Sequence, residues 1–250
     1  ATGEKPLTFS AKNLPEGLTL DETSGILRGS LKHDGTTVVE VTVKNARGEA
    51  HGRLKIVGGR NKLALTPPMG WNPYNCWCDL TSDQKIREAA DAMIRNGLAA
   101  HGYQYLNIDD GWQALRDANG EIQTNKNFPD MKSLADYLHA KGLKLGIYSS
   151  PGANTCGSAL GSYQHELQDA KTYSKWGADF LKHDWCSYSK IAPNKERESL
   201  MKPYRVMRDA LDQCDRDIVY SLCQYGDGDV WEWGADVGGN LWRTAFDIDD

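Results

Sequence analysis

The chain has 250 residues, 40% hydrophobic and 25% charged, enough for one large core with or without a small satellite domain. A formal net charge of -5 without a basic stripe argues against nucleic acid as a partner. No run of about 18 apolar residues exists, which argues against a membrane-spanning helix.

Residues 1–60 read as a small all-β module and residues 61–250 as a separate α/β body. Residues 14–20 and 21–29 suggest two short strands around a Ser-Gly turn. Residues 36–43 are rich in β-branched side chains, Asn45-Ala-Arg-Gly48 makes a turn, and residues 51–57 return as the second strand of a hairpin. Residues 58–62 read as a linker.

Strands and helices alternate from Leu63 onward. A first strand lies around Met69-Gly-Trp-Asn72. Thr81-Ser-Asp-Gln84 reads as a capping box opening a helix that faces Ile86, Ala90, Met93 and Ile94 inward and stops at Asn96-Gly97. A strand over residues 105–109 follows, then a helix over 133–142 and a strand over 143–148. A helix through residues 170–176 leads to a strand ending at Asp184. A charged helix over about 195–212 leads to a strand over 218–222, and a last strand spans 240–246.

Six βα units predict a parallel sheet, either doubly wound or closed as a (β/α)8 TIM barrel. No glycine-rich nucleotide loop follows any strand. Side chains that can do chemistry stand at the strand ends: Trp71, Asp109, Tyr148, Asp184, Cys223 and Asp247. A barrel enzyme needs them there. Six units are fewer than a closed barrel holds, so the chain reads as the N-terminal part of a longer polypeptide, cut after the sixth strand.

Asp184 and Asp247 each end an apolar run near a cation, Lys182 and Arg243 respectively. Such carboxylates suit acid/base and nucleophilic work, although Asp also caps helices routinely. Lys182 lies two residues before Asp184 on the same strand face, where its ammonium is expected to favour the ionised carboxylate. Asp109 and Asp110 would diverge in a regular strand but can both serve a ligand where the chain bends. No histidine sits at ligand spacing beside them, and His183 should point away from Asp184, so a metal is not expected. Among six cysteines, Cys76-Trp-Cys78 lacks a second pair to complete a zinc site. Cys156 and Cys186 each follow an apparent strand, and a disulfide between such loops would imply an oxidising compartment. Ala1-Thr2-Gly3 carries no signal-peptide features, which fits a cytosolic or an already processed chain.

Seven motifs occur in order: Met69-Gly-Trp-Asn72, Asn107-Ile-Asp-Asp-Gly-Trp112, Leu145-Gly-Ile-Tyr148, Thr155-Cys156, Leu181-Lys-His-Asp-Trp-Cys186, Tyr220-Ser-Leu-Cys223 and Trp242-Arg-Thr-Ala-Phe-Asp247. From about Leu63 to Asp250 the chain resembles glycoside hydrolase family 27, the α-galactosidases and α-N-acetylgalactosaminidases. The first 60 residues resemble immunoglobulin-like modules appended to secreted bacterial enzymes. The resemblance implies a retaining exo-hydrolase on a (β/α)8 barrel that releases terminal α-linked galactose from oligosaccharides or glycans, without metal or cofactor. Asp184 would be the nucleophile and Asp247 the acid/base, their carboxyls roughly 5–7 Å apart. Asp247 would need a raised pKa, supplied partly by the nearby nucleophile. Asp109 and Asp110 would grip the sugar's O4 and O6 beside Trp71, with Tyr148, Lys182 and Arg243 completing the pocket.

The same resemblance implies a Cys156–Cys186 disulfide and a reduced Cys223 near the sugar's second carbon. Gln224 stands where galactosidases commonly carry Glu, and Tyr225 where Trp is frequent. That departure leaves open whether the second carbon bears a hydroxyl or an N-acetyl group. Cys76, Cys78 and Cys214 are expected to be buried free thiols. A secreted or periplasmic bacterial protein fits these features, and oligomeric state stays open. A β-L-arabinopyranosidase and an α-N-acetylgalactosaminidase are the alternatives within the family. A non-catalytic galactoside-binding protein would need neither Asp184 nor Asp247.

Overall fold

The computed structural model describes residues 3–60 and 62–247. Asn61 of the expected linker and residues 248–250 of the expected last segment lie outside the described residues.

The N-terminal module contains β1 (Thr8–Lys12), β2 (Leu18–Leu20), β3 (Leu27–Gly29), β4 (Gly35–Asn45) and β5 (Gly48–Gly58). β4 and β5 form an antiparallel hairpin from Asn45 paired with Gly48 to Gly35 paired with Gly58. Its turn is set by the Asn45 side chain, whose Oδ1 accepts from the Arg47 amide at 2.9 Å. β1 adds to the free side of β4, a strand the sequence pattern misses because Thr8–Lys12 carries little β-branched signal. β2 and β3 pair separately. The module rests on the second body through Arg28 of β3. Its guanidinium donates to the carbonyls of His139 and Ala140 at 2.9 and 3.1 Å, at the C-terminal end of a helix where a cation is favoured.

The second body opens with β6 (Met69–Trp71), the short helix α1 (Tyr74–Trp77) and α2 (Asp83–Arg95). β7 (Tyr103–Asn107), β8 (Gln113–Arg116), β9 (Ile122–Thr124), α3 (Met131–Ala140) and β10 (Lys144–Ser149) follow. The chain continues with α4 (Glu166–Trp176), β11 (Phe180–Asp184), α5 (Arg197–Leu211), β12 (Val219–Cys223), α6 (Val230–Trp233) and β13 (Leu241–Trp242). Six strands form one sheet in the order β13-β12-β11-β10-β7-β6, and every pairing in it is parallel. β8 and β9 make a small hairpin above it that the sequence reading does not anticipate.

Three local expectations need correction. The α2 cap is Ser82 rather than Thr81: Ser82 Oγ accepts from the Lys85 amide at 3.4 Å, while Thr81 donates back to the Cys78 carbonyl. Lys85 then occupies the third helical position, where it cannot return a bond as Glu or Gln would. Ile94 faces outward, 41% exposed, while Ile86, Ala90 and Met93 are buried. The last strand is much shorter than residues 240–246. It ends at Trp242, beyond which only the Arg243 amide still bonds to the Leu222 carbonyl, because no further strand among the described residues holds it.

Strand alternation divides the sheet into two faces. Leu106, Leu145, Ile147, Leu181, His183, Tyr220 and Leu222 are buried beneath the helices. The other face carries a small cluster of Tyr105, Phe180 and Val219 near the strand starts. Lys182, Asp184 and Cys223 continue that face toward the strand ends. Gly146 keeps it passable, since a Cβ there would meet Asn107 Oδ1 at 1.8 Å.

Candidate active site

Asp184 closes β11 and is buried, and three donors hold it. Oδ1 accepts from the Trp185 amide at 2.8 Å and the Tyr225 hydroxyl at 2.5 Å, and Oδ2 accepts from the Tyr148 hydroxyl at 3.1 Å. Burial, reinforced by the Asp184 charge, pushes both tyrosine hydroxyls well up, so both remain protonated donors. Lys182 shares the strand face of Asp184, but its direct partner is another carboxylate. Its ammonium binds Asp109 Oδ2 at 2.8 Å and acts on Asp184 from farther off. Burial works against the Lys182 charge, but Asp109, with Cys223 and Asp184, outweighs it and raises the pKa. The reason is register: Lys182 lies beside Tyr148 in the sheet, and its ammonium passes over that ring at 5.1 Å.

Asp109 and Asp110 lie just past β7, where the chain has left the ladder. Asp109 also accepts from Asn72 Nδ2 at 2.6 Å, and its own Oδ1 takes the Asp110 amide. Asp110 accepts from the Gly157 amide at 2.6 Å and the Gly111 amide at 2.9 Å. Burial raises the Asp110 carboxyl pKa against those bonds. Gly157 is required at this approach, because a Cβ would come within 2.9 Å of Asp110 Oδ2.

Cys156 and Cys186 are joined as a disulfide with Cα atoms 5.0 Å apart. It ties the loop bearing Gly157, and so the support of Asp110, to the loop after Asp184. Cys156, Asp184 and Cys186 come close enough to suggest a metal cluster, but the two sulfurs are bonded to each other and offer no thiolate. Cys223 is a free, buried thiol whose pKa burial pushes up to about 12, leaving it protonated and unreactive. Cys214 is partly buried, whereas Cys76 and Cys78 are exposed. The expectation of burial fails for those two because they sit on and after α1, which contributes no buried residue.

Trp71 packs edge-on against Trp77 at 5.0 Å. Gln224 is fully buried; its Nε2 donates to the Asp227 carbonyl at 2.6 Å, while Oε1 has no partner among the described residues. Asp247 is largely exposed and pairs with Arg243 at 2.5 Å. Its direct neighbour is thus a cation rather than the other carboxylate. Arg243 also caps the Tyr225 ring at 5.5 Å and reaches Cys223 Sγ at 3.9 Å. His183 points to the opposite face, bonding the Tyr220 hydroxyl at 2.8 Å. Sequence reasoning gave no role to Asn72, Gly157 or the hydroxyl of Tyr225. Asn72 stands inside a quoted motif, but nothing local reveals its partner 37 positions away.

A six-stranded parallel sheet with buried carboxylates at its strand ends is the arrangement of part of a (β/α)8 barrel, whose sites lie at that end. Residues 66–250 match the family model described as Alpha galactosidase A, and residues 1–57 match one described as "Putative Ig domain". The chain belongs to the α-galactosidase A family, that is, glycoside hydrolase family 27. The α-galactosidase A of Cellvibrio japonicus is 49% identical over 75% of this chain and 45% of its own length. A Bacteroides fragilis crystal structure described as a "putative alpha-galactosidase" superposes with a TM-score of 0.94 at 43% identity, covering 99% of this chain and 52% of that one. The Saccharomyces cerevisiae α-galactosidase solved with raffinose gives 0.70 at 34% identity, over 75% of this chain and 41% of that one. This chain spans about half the length of the curated relatives it matches.

Proposed function

We propose that the polypeptide carrying this chain is a retaining exo-α-galactosidase, with Asp184 as nucleophile and Asp247 as acid/base. The observation that carries the reading is the holding of Asp184: a buried carboxylate fixed by three neutral donors, with the nearby ammonium committed to Asp109. A retaining enzyme needs an anchored, ionised nucleophile and a second carboxyl roughly 5–5.5 Å away that can give and take a proton. Asp247, five residues past the end of β13, the next strand but one, and open to solvent, suits the second role. Asp109, Asp110 and Lys182 offer two carboxylates and an ammonium to the hydroxyls of one sugar. Binding of raffinose, which ends in α-galactose, by the yeast relative supports galactose as that sugar. The unpartnered Gln224 Oε1 offers an acceptor for a hydroxyl or an amide N–H at the second carbon. The disulfide favours a secreted or periplasmic location. Among the described residues no helix is long and apolar enough to cross a membrane.

The full natural polypeptide should hydrolyse nitrophenyl α-galactoside faster than the corresponding β-L-arabinopyranoside or α-N-acetylgalactosaminide. Azide should rescue Asp247→Asn with retained configuration, giving the α-galactosyl azide, and Asp184→Asn with inversion, giving the β-azide. Swapped stereochemistry would reverse the two roles. Galactose binding without turnover of any of the three substrates would replace the enzyme reading with a binding protein.

A further inference from the structure

Tyr225, in the loop just past β12, donates its hydroxyl to Asp184. Its backbone lies in the left-handed region at φ 65°, which is costly for an aromatic residue, and Gly226 follows at φ 89°. Its ring stacks on Phe246 at 5.5 Å and 14°, beneath the Arg243 guanidinium that also holds Asp247. Its hydroxyl reaches Asp184 Oδ1 at 2.5 Å and lies 3.5 and 3.6 Å from the disulfide sulfurs. The fold spends strain to put one hydroxyl on one carboxylate oxygen.

Oδ1 therefore carries two donors, Tyr225 and the Trp185 amide, while Oδ2 carries only Tyr148 at the longer distance of 3.1 Å. A carboxylate oxygen has about two acceptor positions, so Oδ1 is filled by strong donors, and Oδ2, with one hydroxyl and at most the weak Cys223 thiol beside it, is the less occupied oxygen. We propose that Tyr225 is a positioning residue that makes Oδ2 of Asp184 the attacking oxygen and then helps the carboxylate leave by stabilising charge on Oδ1. The proposal rests on Asp184 being the nucleophile. In the first step Oδ2 bonds to the anomeric carbon, the bond to the leaving oxygen breaks, and that oxygen takes the Asp247 proton. In the second step a water oxygen bonds to the anomeric carbon and its proton passes to Asp247. The bond to Oδ2 breaks, and its electron pair returns to the carboxylate, spread over Oδ1.

The hydroxyl thus acts oppositely on the two steps. The first consumes negative charge on Asp184, so a donor there gives little electrostatic help. The second regenerates that charge, so losing the donor slows it. With 2,4-dinitrophenyl α-galactoside and the full natural polypeptide, Tyr225→Phe should lower kcat by roughly tenfold or more, the weight of a hydrogen bond to a charged group. KM should fall in step, leaving kcat/KM nearly unchanged. A pre-steady-state burst should appear, azide should speed turnover, and quenched samples should show the galactosyl-enzyme as the main species by intact mass. Burst amplitude and intact mass count only competent sites, so partial misfolding cannot imitate them. Unchanged kcat and KM, or a fall in kcat/KM without burst or accumulated intermediate, would overturn the role of Tyr225. Wild-type inactivity on the substrate, or full activity of Asp184→Asn, would instead overturn the functional reading beneath it.

Discussion

Asp179, just before β11, and Asp184, at its end, are both buried, and their partners differ in kind. Asp179 is held by a guanidinium and an imidazole: Arg216 binds Oδ1 and His139 Nε2 lies 2.7 Å from Oδ2, while the Leu145 amide completes the shell at 2.9 Å. Burial works against its charge, but His139 and Arg216 outweigh it and lower its pKa. Asp184 is held directly by two hydroxyls and an amide, with the Lys182 ammonium farther off. A carboxylate neutralised by cations is a fastening. On the reading proposed above, one held by neutral donors keeps its lone pairs for attack. On the proposed reading, the end of the strand at which an aspartate sits, and the company it keeps there, separate a structural role from a chemical one.

The sharpest way to break this contrast is to neutralise each aspartate. Asp184→Asn should lose several orders of magnitude in galactoside turnover with little change in melting temperature, since the amide oxygen still accepts from Tyr225 and Trp185. Asp179→Asn should do the reverse, lowering stability by roughly 3 kcal/mol in urea unfolding with kcat/KM preserved, because Arg216 loses its buried counter-charge. Loss of turnover in both, or in neither, would erase the distinction.

His183, between the two aspartates on the helix-covered face, sharpens it by pH. Burial pushes its imidazole down to about 3, so the folded state holds it neutral. Between an unfolded value of about 6.5 and that folded value, the unfolded chain binds the extra proton. Stability is therefore complete above about 6.5 and falls toward pH 3, by up to about 1.4 kcal/mol per pH unit. Urea midpoints for His183→Gln should be lower than wild type at pH 7 but flatter across this window. The Asp179 contribution is lost only below the ordinary carboxylate range. The smallest effect belongs to Arg28→Ala. Removing an exposed guanidinium from the α3 terminus should cost about 1 kcal/mol or less and should not alter turnover.

Much of the sheet was legible because its information is local. The β-branched run from Thr36 to Val43 in the N-terminal module and the apolar strand-like run ending at Asp184 in the parallel sheet need only neighbours along the chain. Six parallel strands and their order of appearance followed. The residues proposed for the site stood out as side chains at or past strand ends, and the Cys156–Cys186 disulfide as a link between two such loops. The missed features depend on distant partners or on chain geometry. β1 is a strand because β4 offers it an edge. β13 is short because nothing among the described residues continues the sheet beyond it.

By itself, then, the sequence determined which face each side chain of β11 takes, since adjacent residues on a pleated strand must diverge: Lys182 and Asp184 to one side, His183 to the other. Only the tertiary structure decided their partners. Lys182 binds Asp109, 73 positions away, because register lays its side chain across Tyr148. Tyr225 binds Asp184 because a left-handed turn after β12 swings its ring back over the strand ends. Alternation is a property of one chain segment, whereas a hydrogen bond between segments exists only once crossovers, register and loop strain have brought them together.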